Sequence, residues 1–155
     1  MNKVLLGKYV NTHGIKGEIR IKSNFPYKDK VFKIGNEIII LDNIYKINSY
    51  RVHKDYDMVT LLGINSINDL PFPKNTKVFI DRDKYLTKKD YLDSDLIGFI
   101  VYNSRIEREV LDIFYLNDKK KLIQTNNGYI PMELIKNIDL ENKRILIEDV
   151  EGLWK

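Results

Sequence analysis

Apolar residues in this chain come in short runs, each closed within a few positions by glycine, asparagine, aspartate or proline. That punctuation leaves no room for long amphipathic helices and points to strands. Isoleucine and tyrosine dominate the runs, and β-branched and aromatic side chains suit a pleated, half-buried surface. Six strands are predicted in the front half, over residues 4–10, 18–23, 37–41, 44–53, 58–62 and 77–80. Asp42-Asn43 supplies a tight turn between the third and fourth. Residues 65–70 are expected to make one helical turn before Pro71 and Pro73 end it. Six strands with one short helix suit a small closed barrel, since closure removes exposed edges.

A densely charged stretch without apolar periodicity, residues 81–90, marks the expected domain boundary, dividing the chain into 1–84 and 85–155. Strands are predicted behind it over 96–102, 109–115, 121–125, 129–132 and 144–148, with a turn at Asn126-Asn127-Gly128. Residues 133–138 are read as a helical turn and 139–144 as the loop into the last strand. The fold class is therefore all-β: two small β-barrels within 155 residues, each with a limited core.

Composition narrows the function classes. With 43% hydrophobic and 31% charged residues the chain is globular, not disordered. Cysteine is absent, which removes disulfides, thiolate nucleophiles and cysteine zinc sites. No segment approaches the roughly 18 apolar residues of a membrane span, and the apolar start is too short for a signal peptide. A soluble intracellular protein, with no membrane partner, is expected. Residues 1–84 carry 15 Lys and Arg against 9 Asp and Glu, a net +6, while residues 85–155 carry 11 against 13, a net −2. The front half suits phosphate and the back half a basic protein, because each field attracts its opposite.

The segment Gly7-Lys8-Tyr9-Val10-Asn11-Thr12-His13-Gly14-Ile15-Lys16-Gly17-Glu18 holds a strand, a glycine turn and the start of a second strand. Gly14 and Gly17 allow the backbone to reverse and leave His13 and Lys16 projecting from the loop. Neither a dinucleotide fingerprint nor a phosphate loop is present, so a structural hairpin and a binding hairpin both stand. Two histidines far apart, His13 and His53, are poor material for zinc, and no metal or other cofactor is expected. No serine nucleophile elbow exists, and Asp55 and Asp57 fall in a predicted hairpin loop where solvation explains them. No catalytic residue is assigned and no enzyme is expected.

Two further blocks follow: Tyr91-Leu92-Asp93-Ser94-Asp95-Leu96-Ile97-Gly98, and Ile130-Pro131-Met132-Glu133-Leu134 running on through Ile138-Asp139-Leu140 to Val150-Glu151-Gly152-Leu153. With the glycine hairpin they resemble, along most of the chain, the RimM family of proteins that assist maturation of the small ribosomal subunit. Leu92 stands where relatives usually carry a second aromatic. Glu107-Arg108-Glu109-Val110 replaces a usual Leu-Gly-x-Val, and only Asn117-Asp118 survives of a Gly-x-Asn-Asp loop.

The resemblance implies an amino-terminal RimM-type barrel and a carboxy-terminal PRC-barrel-like domain. It implies a non-enzymatic assembly factor, cytoplasmic and monomeric, that binds the head of the immature small subunit. Its expected partners are small-subunit ribosomal protein nineteen and nearby rRNA, whose folding and processing it would assist. Within that frame His13, Lys16, Arg20 and Lys22 are candidate RNA contacts, with Arg20 and Lys22 alternating outward along the second strand. Tyr91, Leu92, Asp95 and Trp154 are candidate contacts to the ribosomal protein. Asp95 would cap or brace the turn, Gly98 would permit close backbone approach, and Tyr91 with Leu92 would anchor the partner or seal the linker onto the barrel. A general RNA-binding β-barrel module is the competing function, for which the basic front half and exposed aromatics would suffice.

Overall fold

The computed structural model describes residues 1–117 and 119–150. The chain divides into two compact units, Met1–Thr87 and Lys88–Lys155.

The first unit is a closed six-stranded barrel. Its strands are β1 (Lys3–His13), β2 (Glu18–Lys22), β3 (Glu37–Ile40), β4 (Asn43–His53), β5 (Tyr56–Leu61) and β6 (Lys77–Asp81), in the order β1-β2-β5-β4-β3-β6. Every neighbouring pair is antiparallel, and β6 returns to β1 to close the ring. The predicted strands of this half all occur at their predicted places. Ile19 and Ile21 on β2, Ile38 and Ile40 on β3, and Val78 and Ile80 on β6 are wholly buried, as period-two alternation requires. The β1–β2 hairpin brings the two strands hard together at Gly7, where a Cβ would lie 2.5 Å from the Lys22 carbonyl oxygen.

A one-turn helix, α1 (Lys28–Val31), follows β2 in a segment for which the sequence pattern predicts no element. It buries Val31, and the adjoining Phe32 stacks on Tyr50 with ring centroids 5.1 Å apart. Residues 67–69 form the expected helical turn, capped by the Ser66 hydroxyl accepting from the Asn68 N–H. The charged stretch read as a linker instead begins with a second short helix, α2 (Arg82–Tyr85). The Glu37 N–H donates to the Tyr85 hydroxyl at 2.7 Å, Lys84 pairs with Glu37 at 2.8 Å, and Leu86 is buried. These contacts hold α2 to the barrel wall.

The second unit is barrel-like: two small sheets enclose one core. One sheet contains β9 (Asp112–Asn117), β10 (Lys120–Thr125) and β11 (Gly128–Pro131) in the order β11-β10-β9. The other contains β7 (Ile100–Tyr102), β8 (Glu107–Glu109), β12 (Ile135–Asp139) and β13 (Arg144–Ile147) in the order β12-β13-β7-β8, with β13 and β7 parallel. Leu96, Phe99, Val101, Val110, Ile123, Ile130, Ile145 and Ile147 form the shared core.

Three expectations change here. The strand predicted at 96–102 starts only at Ile100, because residues 93–96 form a 3₁₀ turn. The strand predicted at 109–115 is two strands, β8 and β9, since Val110 turns into the core and its N–H pairs with the Phe99 carbonyl. The helical turn predicted at 133–138 is a shorter turn over 132–134 followed by β12, which hairpins onto β13.

Candidate functional site

The β1–β2 hairpin presents the first candidate set. Positive φ at Gly14 (+70°) and Gly17 (+84°) turns the chain back, and Lys16 lies exposed in the loop between them. Lys22, at the other end of β2, is also exposed and sits directly opposite the exposed Lys8. Arg20 differs from its expected place in an outward row of cations. Its Nη2 donates to His13 Nδ1 at 2.9 Å and its Nη1 to Asn11 Oδ1 at 3.4 Å, while its guanidinium lies 5.9 Å from the Tyr56 ring centre. A guanidinium has donors only, so it is drawn sideways along the sheet by these acceptors.

Two residues from β4 complete this face. Paired residues share a face, so Arg20, Met58 and Arg51 form one row across β2, β5 and β4. Met58 is wholly buried beneath the polar side chains above it. Arg51 grips Glu18 with two hydrogen bonds, and the His53 ring lies 5.8 Å from that of His13. The Arg51 hydrogen bond and charge hold the Glu18 carboxyl below its ordinary range. Burial, followed by the charges of Arg51, Lys54, His13 and Arg20, holds His53 below the ordinary imidazole range. His53 and Arg51 were outside the candidate set, because only the barrel's strand order, with β4 beyond β5, carries them to His13 and Glu18. Among the described residues no three His, Cys, Asp or Glu side chains converge as a metal would require.

The solvated reading of Asp57 does not hold, whereas Asp55 is exposed in the turn as expected. Asp57 lies within β5 and is 2% exposed, because α1 brings Lys28 to it as an ion pair of 2.7 Å. The Tyr50 hydroxyl donates to its other carboxylate oxygen at 2.7 Å. Burial, with a smaller contribution from Asp57, pushes the Tyr50 phenol well above its ordinary range.

In the second unit Tyr91 is half-buried and packs against the core. Leu92 is half-buried too, and its N–H donates to Asp95 Oδ2 at 2.7 Å while the Asp95 N–H returns to the Leu92 carbonyl at 2.9 Å. The Asp95 carboxylate thus braces the turn. Gly98 is required for its φ of +91°, not for close approach, since nothing lies within 4 Å of a Cβ built there. Trp154 lies outside the described residues. Among those described, no helix is long and apolar enough to cross a membrane.

Residues 4–85 match the family described as RimM N-terminal domain. Two Staphylococcus aureus proteins named ribosome maturation factor RimM are 38% and 37% identical to the chain, each alignment covering 97% of this chain and 98% of the relative. A crystal structure of a 16S ribosomal RNA processing protein RimM from Pseudomonas aeruginosa is 15% identical with a TM-score of 0.46, covering 96% of this chain and 98% of that one.

Proposed function

Because the chain belongs to the RimM family, we propose that it is a ribosome maturation factor acting in the cytoplasm on the immature small subunit. The observation that carries this reading is the near full-length similarity to proteins of that name. In this proposal the chain binds the head of the subunit as a monomer and assists rRNA folding and processing there without catalysing a reaction. The front barrel, assigned to residues 1–84 with a net +6, meets rRNA through Lys16 and Lys22, with His13 and Arg20 behind them. The PRC-barrel-like unit, assigned to residues 85–155 with a net −2, meets small-subunit ribosomal protein nineteen through Tyr91, Leu92 and Trp154, and Asp95 braces the turn that follows Tyr91. Such a factor holds a premature junction in place and leaves when mature contacts outcompete it.

Affinity capture of the tagged full chain from its native cell tests this. Immature small subunits, with unprocessed 16S rRNA, are expected to come down in preference to mature ones. Capture of neither, or of both equally, would overturn the assignment.

A further inference from the structure

The paired rings of His13 and His53, with Arg20, Arg51 and Lys54 around them, have no role as a metal site and are not explained by a structural hairpin. We infer that this face of the barrel is a proton-linked phosphate site, in which an RNA backbone phosphate binds beside Arg20 and His53 and His53 takes up a proton as it does so. The inference rests on the proposed RNA-binding role of the front barrel and adds to it the site and its pH dependence.

Geometry supplies the argument. The β1–β2 hairpin and the more distant β4 converge here: β1 brings His13, β2 brings Glu18 and Arg20, and β4 brings Arg51 and His53, with Lys54 in the following turn. The carboxylate of Glu18 is the opposing charge, and it is spent on Arg51, its Oε2 and Oε1 accepting at 3.0 and 2.7 Å. Arg20 is held by the acceptors of Asn11 and His13 and by the face of Tyr56, and no carboxylate among the described residues pairs with it. Its Nη2 donates to His13 Nδ1, so the neutral His13 ring carries its proton on Nε2, and protonating Nδ1 would break that bond. The His53 ring is therefore the one able to charge without losing a partner.

In the free protein burial, and after it the neighbouring charges, those of Arg51 and Lys54 foremost, disfavour that charge. A phosphodiester anion reverses the balance, since an opposite charge within about 4–6 Å favours the protonated ring. A ring that gains basicity on binding makes affinity rise as pH falls through the histidine range. The sequence makes the signal clean. It contains two histidines and no cysteine, so a pH-dependent change in affinity near neutrality has few side chains to come from.

The experiment measures affinity of the full chain for a 16S rRNA transcript at pH 6 and pH 8 at fixed ionic strength, in the wild type and in His53→Gln, with circular dichroism confirming that the variant is folded. Wild-type binding is expected to be about 5- to 10-fold tighter at pH 6, and His53→Gln is expected to bring the ratio near one. A second measurement does not depend on the variant: titration of the two histidine ring resonances by NMR, where RNA is expected to raise the His53 midpoint by about half a unit or more. Salt-sensitive RNA binding with equal affinity at both pH values overturns the proton-linked site while leaving RNA binding intact. A ratio that survives in His53→Gln, or a His53 midpoint unmoved by RNA, overturns it as well. Absence of RNA binding at either pH removes the RNA-binding role and this inference together.

Discussion

Arg51 on β4 and Glu18 on β2 are joined across the intervening strand β5 by a two-point contact, Nε to Oε2 at 3.0 Å and Nη2 to Oε1 at 2.7 Å. The pair spans the exterior of the barrel above Met58 and ties the glycine hairpin to the β4–β5 hairpin. Because Arg51 is about half exposed, water screens the attraction, and Arg51→Gln is expected to lower stability only slightly at neutral pH. The Glu18 carboxyl is lowered in the folded state, so its contribution is fully present above the ordinary carboxylate range and is lost as pH falls through the lowered value. Urea unfolding of wild type and variant should therefore show a gap at pH 7 that narrows as the pH falls below the ordinary carboxylate range. A gap that persists unchanged in acid would mean that packing, not charge, sets it.

Limited trypsin digestion tests the boundary between the units. Arg82 and Lys84 belong to α2, which is fastened to the barrel through Tyr85, the Lys84–Glu37 pair and the buried Leu86. Lys88 and Lys89 are exposed and follow that fastening. Cleavage is expected first after Lys88 or Lys89, because backbone held in a packed helix must open before a protease can take it. First cuts after Arg82 or Lys84, read by mass spectrometry, would mean that α2 opens on its own.

Much of the barrel was legible because its strands alternate strictly: Glu18-Ile19-Arg20-Ile21-Lys22 buries each isoleucine and exposes or half-exposes each charge. The misread segments lack that simplicity. Leu134, Ile135 and Ile138 have helical spacing, yet Leu134 ends a 3₁₀ turn and Ile135 opens a strand, so the apparent period belongs to two elements. Lys28–Val31 is a single turn just after a proline and carries no period to detect. The basic hairpin was readable because its residues are contiguous. Its extension to Arg51 and His53 was not, since it depends on β2 pairing with β5 and β5 with β4, a non-consecutive order that no local pattern encodes. Asp57 was misread for the same reason: its partner Lys28 is on an element invisible in the sequence.

The Asp57 environment gives a prediction of its own. Lys28 is about one-third exposed and can hydrate if its partner goes, so Asp57→Ala is expected to cost about 1–3 kcal/mol. The cost for a fully enclosed pair would be about 3–5 kcal/mol. Urea midpoints distinguish the two ranges. Spectrophotometric titration against Tyr50→Phe should show the Tyr50 phenol ionising well above ordinary tyrosine. Asp57→Asn should lower that midpoint without restoring it, because burial is the larger cause. Full restoration would assign the shift to the carboxylate instead.

The two hairpin glycines should differ in cost. Both have positive φ, but a Cβ at Gly14 meets nothing within 4 Å, whereas one at Gly17 comes within 3.2 Å of Ile64 Cγ2 and of the Ser66 carbonyl oxygen. Gly14→Ala is expected to cost about 1 kcal/mol for the left-handed backbone. Gly17→Ala is expected to cost about 2–3 kcal/mol as the neighbouring loop is also displaced. Equal denaturation midpoints for the two variants would show that the 64–66 loop yields freely.

Tyr91 decides between an anchor and a seal. It packs on the core of the second unit while remaining half-exposed, so both uses are open to it. As a partner anchor, Tyr91→Ala is expected to cost about 1–3 kcal/mol of binding to small-subunit ribosomal protein nineteen. Half-exposure means that the loss of folding stability should stay below the about 3–5 kcal/mol of a fully buried aromatic. Thermal unfolding and titration of the purified ribosomal protein, measured on the same variant, separate the effects. A large fall in melting temperature with affinity unchanged in the folded fraction would remove Tyr91 from the interface. Leu92→Tyr is the companion variant: its position beside Tyr91 is half-buried, so a second ring there enlarges the contact area a partner can cover. Tighter binding in Leu92→Tyr, with Asp95 still accepting from the residue 92 N–H, supports the anchor, and unaltered binding argues that this edge of the unit faces solvent in the complex.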